Sequence, residues 1–355
     1  MYMNTNLAVP RESETDGQFE NEALTRLYAG QSLTQDEAET LFASLVEGRM
    51  AEPAIAAMLI ALKLKGETTD ELIGAARALR AACLPFERPS YPFADSCGTG
   101  GDGAGTINLS TAVAFVAAAA GLPVAKHGNR SFSSACGSAD VLEALGVRLD
   151  MPPALARRGL DEAGICFLFA PAYHPGLRHA GPVRKSLKVR TMMNVLGPCL
   201  NPAAPPVQLL GVAERRLIAP VAQVLAALGV ERALVVHGAG LDEIAPHAAS
   251  DGLLLSHGEI APLNLAPEDA GLRRRSIEGL NGGGPAENAA RLRALLAGQG
   301  GEAETEAVAL NAGALLMVAG KAASLRQGTA RALDALASGA PLARLEALAR
   351  IGHAG

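Results

Sequence analysis

The sequence predicts an α/β protein in two parts: a small α-helical N-terminal domain and a large α/β domain with a mainly parallel sheet. Three patterns carry that prediction. Residues 21–84 keep helical periodicity with glycine breaks, short β-like runs then alternate with amphipathic helices, and helix returns from Asn288 onward. Strands separated by helices imply crossover connections, hence parallel strands whose ligands gather at the carboxyl ends.

The helical domain, residues 21–88, holds four segments: ALTRLYAG, LTQDEAETLFASLVEG, EPAIAAMLIALKLKG and TTDELIGAARALRAAC. Thr34 and Thr69 stand at N-cap positions, with acids in the first turn behind them. Three prolines and no periodicity mark residues 85–92 as a linker. In the α/β domain, residues 93–355, LPVAKH, ICFLFAP, VQLLGV and ALVVHG read as strands, with helices at 139–145 and 214–228. NAARLRALLAG, VALNAGALLMVAG and RQGTARALDALASG read as the closing helices. Residues 1–20 read as a disordered lead-in without an apolar run of signal-peptide length. No segment offers the roughly 20 apolar residues of a membrane span, so the expected location is cytoplasmic.

Composition narrows the function. A chain of 355 residues, 49% hydrophobic and 19% charged, can bury a sizeable core. Aromatics make up 3%, Trp is absent and the net charge is −5, which gives neither a stacking platform nor a cationic footprint for nucleic acid. The cysteines at 83, 97, 136, 166 and 199 are odd in number and form no C-x-x-C pair, so they read as reduced thiols packed as small residues.

Four loops carry chemistry. In SCGTGGDGAGTINLST, residues 96–111, five glycines precede an apolar helix. Gly98, Gly100 and Gly103 satisfy G-x-G-x-x-G, but no acid follows at the distance a ribose needs, and no G-K-[ST] ending makes a P-loop. What remains is bare backbone N–H for an anion, with Asn108, Ser110 and Thr111 behind it and Ser110 as the expected N-cap. In KHGNRSFSSACGSADVLEALG, Lys126 and Arg130 can meet phosphate charge, while Ser131, Ser133, Ser134 and Ser138 can donate hydrogen bonds.

The third loop, AYHPGLRHAGPVRKSLKVRTMMN, carries Tyr173, His174, Arg178, His179, Arg184, Lys185, Lys188 and Arg190. A charged surface helix explains most of these; one face of Arg and His beside an aromatic would instead hold a planar carboxylate. The fourth is VVHGAGLDEIAP, where Asp242 and Glu243 follow a glycine turn. Paired carboxylates near phosphate suit Mg²⁺, although LDE alone is a common surface tripeptide.

Together and in this order, GTGGDGAGTINLST, KHGNRSFSS with GSADVLEALG, PVRKSLKVRTMMNVLGP and GLDEI resemble the anthranilate phosphoribosyltransferases, with KHGNR and its serine tail the most specific element. The likeness covers almost the whole chain. It implies a nucleoside phosphorylase-like phosphoribosyltransferase fold, with the helical domain completed by helices near residues 180–196. It also implies a homodimer, and a reaction in which 5-phosphoribosyl 1-diphosphate and anthranilate give N-(5-phosphoribosyl)anthranilate and diphosphate.

Carried over residue by residue, the phosphoribosyl diphosphate contacts fall on Gly98, Gly101, Asp102, Thr106, Asn108, Leu109, Ser110 and Thr111 in the first loop. In the second they fall on Lys126, Asn129, Arg130, Ser131, Ser133, Ser134 and Ser138. Anthranilate contacts fall on Gly98, His127, Asn129, Tyr173, His174 and Arg184, and Mg²⁺, two ions per site, on Ser110, Asp242 and Glu243. An aryl amine is already neutral at pH 7, so the chemistry demands no strong general base, and no Asp/His or Glu/His pair stands out to serve as one. Met192 and Met193 stand where relatives more often carry a bulkier residue, and GAGLDEI is a compact form of its loop. A pyrimidine nucleoside phosphorylase of the same fold and a non-catalytic nucleic-acid-binding relative are the alternatives.

Overall fold

The computed structural model describes residues 12–131 and 135–354. Helix α1, Glu12–Tyr28, begins inside the segment expected to lack structure; residues 1–11, and with them the rest of that expectation, lie outside the described residues.

Helices α2 (Gln35–Val46), α3 (Glu52–Lys65) and α4 (Thr69–Ala81) complete the N-terminal bundle. Thr34 caps α2, its hydroxyl accepting from the N–H of Glu37. At α4 the cap is Thr68, one residue earlier than expected, because only Thr68 has the acid three residues on, Glu71, that closes a capping box. Glu71 does more than cap. Its fully buried carboxylate accepts from the N–H of Leu33 at 2.9 Å, the N–H of Thr68 at 2.8 Å and Lys65 Nζ at 2.9 Å, tying three segments together.

Among the described residues seven strands form one sheet in the order β3-β2-β1-β4-β5-β6-β7. The strands β1 (Ala94–Gly98), β2 (Val124–Gly128), β3 (Ile165–Phe169), β4 (Val207–Gly211) and β5 (Arg232–His237) are parallel. The sequence runs at β2 to β5 therefore form strands as read. β1 had been absorbed into the glycine-rich stretch, and the antiparallel β6 (Asp251–Ser256) and β7 (Glu259–Pro262) went unread. Crossovers run through α5 (Leu109–Ala119), α6 (Ser138–Ala144), α7 (Pro153–Ala163) and, after α8 (Ala170–Tyr173), through α9 (Gly181–Leu187), α10 (Met192–Leu196) and α11 (Ile218–Ala227). The closing helices are α12 (Pro285–Leu296), α13 (Glu302–Val318), α14 (Leu325–Ala337) and α15 (Ala340–His353).

Two apolar clusters sandwich the sheet. On one side Phe115, Phe167 and Val113 pack with α7 and α12 to α15. On the other, Leu210 and Val235 pack on Val221 and Leu225 of α11, and that cluster continues through Met192, Met193 and Leu196 into Phe42, Met58 and Leu62 of the N-terminal bundle. Met192 and Met193 are thus core residues. Because the chain leaves β1 toward β2 on one side and β4 lies on the other, β1 sits at the switch of strand order, where a cleft opens at the carboxyl ends.

Removing Glu71 takes the carboxylate from the Leu33 and Thr68 N–H groups and from Lys65, a cation left with only Ser32 and the Gly66 carbonyl. Glu71→Ala should lower unfolding free energy by roughly 3–5 kcal/mol at an unchanged denaturant slope, read from urea melts.

Candidate active site

The cleft is a cavity of about 340 Å³ lined from the carboxyl ends of β1, β2 and β5 and from the 174–200 segment. Its first wall is the glycine-rich loop. Gly100 (φ 64°), Gly101 (φ 80°), Gly103 (φ 75°) and Gly105 (φ 61°) all lie in the left-handed region, which accounts for glycine there better than an anion alone would. Gly98 has a different reason: with Gly211, its register partner on β4, it is packed directly against Asp242, and a Cβ on either would collide with that residue.

Helix α5 starts at Leu109 with Asn108 at the N-cap position, so Ser110 lies inside the first turn and is not the cap. The Asn108 side chain does not cap either. It donates to the Cys136 carbonyl at 3.1 Å and accepts from Asn288 Nδ2 at 3.1 Å, stitching the glycine loop to the second loop and to α12. Leu109, Thr111, Thr106 and Asp102 also line the cavity.

Lys126, in the middle of β2, is almost fully buried and donates to the Ser96 carbonyl at 2.5 Å and to Ser110 Oγ at 3.3 Å. Beneath it Asp95, fully buried, accepts from the N–H of Ser96 at 2.7 Å, the N–H of His127 at 3.3 Å and Asn201 Nδ2 at 2.8 Å. Burial raises the Asp95 carboxyl, and Lys126 opposes that rise. Asn129, Ser131 and Ser138 follow Lys126 along the wall, with Ser138 Oγ donating to the Asn129 carbonyl at 3.3 Å. Ser133 and Ser134 lie outside the described residues. Arg130 lines the rim, but its guanidinium is held by Asp140 and Glu143 of α6, so its charge is already matched.

The acids stand against the glycine-rich loop. Asp242 Oδ2 accepts from the Gly100 N–H at 2.6 Å, and the Asp242 N–H donates to Asp102 Oδ2 at 3.3 Å. Desolvation and the neighbouring Asp102 push Asp242 up to about 7; desolvation and Asp242 push Glu243 up to about 8, with Lys126 opposing. The turn that carries them is clamped from α13: fully buried Asn311 accepts from the Ile244 N–H at 2.9 Å and donates to the Ile244 carbonyl at 3.0 Å. Two crowded carboxylates that resist ionisation, with Asp102 beside them, suit a hard divalent cation. No group of three His, Cys, Asp or Glu among the described residues is arranged to enclose a metal.

The other end of the cavity is less polar. His127 and His174, with ring centroids 5.2 Å apart at 59°, are both buried, and burial holds both below their ordinary range, His174 at about 4. They are neutral at pH 7. Arg184 reaches in from α9, with Met193, Leu177 and Pro198 around it. Tyr173 does not join them: it is 3% exposed in the sheet-side core and absent from the cavity wall. Successive helical residues turn by about 100°, so the one-turn α8 that aims His174 at the cavity buries Tyr173.

The third loop is not one charged helix. α9 ends at Leu187, Lys188 turns left-handed at φ 53°, and Lys185 and Lys188 are exposed. His179 packs over Gly48 of the bundle instead. Sequence reasoning missed Asn201, Asn288, Asn311 and the role of Asp95. A polar residue inside an apolar helix or strand was the available signal, since buried polar groups are kept only when bonded. The cysteines are all free, and burial raises Cys97 and Cys199 out of the reactive range.

His174 yields a pH test. Its folded value lies below the ordinary 6.5, so the stability tied to its neutral form is present above pH 6.5 and is lost as pH falls toward 4. His174→Gln removes this loss. Relative to wild type, the variant should gain about 2 kcal/mol between pH 7 and pH 5 in urea melts; a difference independent of pH would place a charged or exposed imidazole at this position.

Known proteins agree with this geometry. Residues 90–342 match the model of the glycosyl transferase family a/b domain, and residues 21–83 that of its helical bundle domain. Anthranilate phosphoribosyltransferase of Sorangium cellulosum is 58% identical over 319 residues, 90% of this chain and 92% of that protein. The Serratia proteamaculans enzyme of that name is 51% identical over 93% of this chain and 99% of its own. The crystal structure of anthranilate phosphoribosyltransferase from Thermus thermophilus superimposes at a TM-score of 0.88 with 44% identity, covering 94% of this chain and 99% of that one. The Saccharomyces cerevisiae enzyme in complex with PRPP and Mg shares the fold at a TM-score of 0.86 and 24% identity, over 95% of this chain and 99% of that one. With two family models across both halves and more than half of the residues shared with a full-length relative, the chain belongs to the anthranilate phosphoribosyltransferase family.

Proposed function

We propose that this chain transfers the 5-phosphoribosyl group from 5-phosphoribosyl 1-diphosphate to the amine of anthranilate, giving N-(5-phosphoribosyl)anthranilate and diphosphate in tryptophan biosynthesis. One observation carries the reading: a single cavity with chemically opposite ends. Backbone N–H groups, Lys126 and the serine hydroxyls face one end with Asp242 and Glu243; neutral His127 and His174 with Arg184 face the other.

The anion end takes diphosphate and phosphate on Gly98, Gly101, Asp102, Thr106, Asn108, Leu109, Ser110 and Thr111, joined by Lys126, Asn129, Ser131 and Ser138. Arg130 serves there only if it leaves Asp140 and Glu143. Ser110, Asp242 and Glu243 would hold Mg²⁺, two ions per site, and the bound cations would supply positive charge to the leaving diphosphate. The other end takes anthranilate, its carboxylate on Arg184 and its ring among His174, Met193 and Pro198.

The C1–oxygen bond to diphosphate breaks as the C1–nitrogen bond forms, and the amine gives up a proton. Positive charge grows on the ribose and negative charge on the departing oxygens, so preorganised donors at the anion end stabilise the transition state more than the ground state. His127 Nε2, buried and without a hydrogen-bond partner in the protein, accepts from the amine N–H and aims its lone pair at C1. Neutral rings serve this end, since a cation there would oppose the charge building on the ribose.

The apolar Leu64 and Tyr28, 80% and 55% exposed on the helical bundle, support the homodimer as part of the proposal. No helix among the described residues is long and apolar enough to cross a membrane, in keeping with a cytoplasmic enzyme.

Mixing the protein with 5-phosphoribosyl 1-diphosphate, Mg²⁺ and anthranilate should extinguish anthranilate fluorescence; no change at any protein concentration removes the proposal. Arg184→Ala loses a charge-assisted hydrogen bond worth roughly 1.5–3 kcal/mol, so the KM for anthranilate should rise about 10- to 150-fold while that for the diphosphate barely moves. Asp242→Ala and Glu243→Ala should each lose most turnover at limiting Mg²⁺ with the fold intact by circular dichroism. Unchanged turnover in both returns the pair to a surface-loop role.

A further inference from the structure

We infer that Arg190 is a positioning residue of the anion end, setting the peptide orientations of the glycine-rich loop instead of touching a substrate. Arg190 lies between α9 and α10, on the segment whose Met192 and Met193 are rooted in the core shared with the helical bundle. Its NH2 group donates to the carbonyl of Gly100 at 2.7 Å and to that of Thr99 at 3.2 Å. The guanidinium also covers Gly101, where any side chain would overlap it.

A trans peptide is planar, and the carbonyl of one residue points opposite to the N–H of the next. Drawing the Thr99 carbonyl toward Arg190 turns the Gly100 N–H away from it, and that N–H is the one bonded to Asp242 Oδ2 at 2.6 Å. Drawing the Gly100 carbonyl the same way turns the Gly101 N–H away as well. That N–H has no protein acceptor among the described residues and belongs to a loop lining the cavity. One guanidinium thus fixes two consecutive peptides: the first seats the acid, the second is left facing an anion. Gly100 and Gly101 can follow because both lie at positive φ. The shape of the anion site in the α/β part is therefore held from a segment packed into the helical part.

The identity of the anion, diphosphate, rests on the function proposed above; the control of the loop does not, and the test has an arm for each. Arg190→Met keeps the apolar stem and removes every donor, while Arg190→Lys keeps the charge but not the fork. In the ligand-free protein, amide exchange at Gly100 should quicken at least about tenfold in Arg190→Met, with β1 to β5 as protected as in wild type. Calorimetry with inorganic diphosphate and Mg²⁺ should show affinity reduced about 10- to 100-fold, partly recovered in Arg190→Lys, with the KM for anthranilate within about twofold. Unchanged Gly100 exchange together with unchanged diphosphate affinity overturns the inference. So does a rise in the KM for anthranilate alone, which would make Arg190 a direct carboxylate ligand. If wild type binds no diphosphate yet Gly100 exchange quickens in Arg190→Met, the loop inference stands and the functional reading falls.

Discussion

Two adjacent carboxylates, Asp242 and Glu243, sit at the open end of a parallel sheet where neither can ionise easily, and much of the local structure exists to hold them there. Lost solvation raises both proton affinities, with the Asp102 charge adding to that of Asp242 and the Asp242 charge adding to that of Glu243. A protein that wanted only stability would place an arginine beside them, because an unmatched carboxylate of this kind is costly. Here the matching is partial: the Gly100 N–H holds Asp242, the Lys126 charge acts on Glu243, and the Asn311 side chain holds the peptide that follows Glu243. Glycine at 98 and 211 gives the acid-bearing turn room to lie against the strands. The arrangement leaves negative charge waiting for a cation and, beside it, donors waiting for an anion.

That pairing makes the two ends of the cavity interdependent. An anion brought in alone meets the acids; a divalent cation brought with it satisfies both sides. At the far end the economy is reversed: His127 and His174 are kept uncharged by burial, and Arg184 is half-buried by a helix that belongs with the bundle. The cavity is therefore walled from both apolar clusters, one carrying the phosphate-side loops and the other the aromatic-side residues. The 188–194 segment crosses between them.

The fold was legible in the sequence where periodicity was long and turns were marked by glycine: the bundle helices, β2 to β5, α11 and the closing helices. β1 was hidden because its five residues run directly into the glycine loop, and β6 and β7 because an antiparallel extension carries no crossover helix to announce it. Thr68 was missed as a cap because cap identity depends on which acid folds back and its neighbour Thr69 is a near-equal candidate, whereas Asn108 was missed because no side chain caps α5. In the site, the described loop residues placed by the resemblance line the cavity with one exception. Tyr173 failed because one helical turn decides which of two adjacent residues faces inward. For Asn311 and Arg190 it was the partners that were beyond reach, because those are backbone atoms 67 and about 90 residues away, and sequence patterns carry side-chain chemistry far better than main-chain geometry.

Crystals grown with Mn²⁺ and 5-phosphoribosyl 1-diphosphate test the central claim most directly, because manganese scatters anomalously and takes the oxygen ligands that Mg²⁺ takes. The account predicts an anomalous peak within coordination distance of the Asp242 or Glu243 carboxylates and of diphosphate oxygens, lost in Asp242→Ala with Glu243→Ala. Bound diphosphate with the metal elsewhere, or with both carboxylates protonated and turned away from it, would contradict the claim.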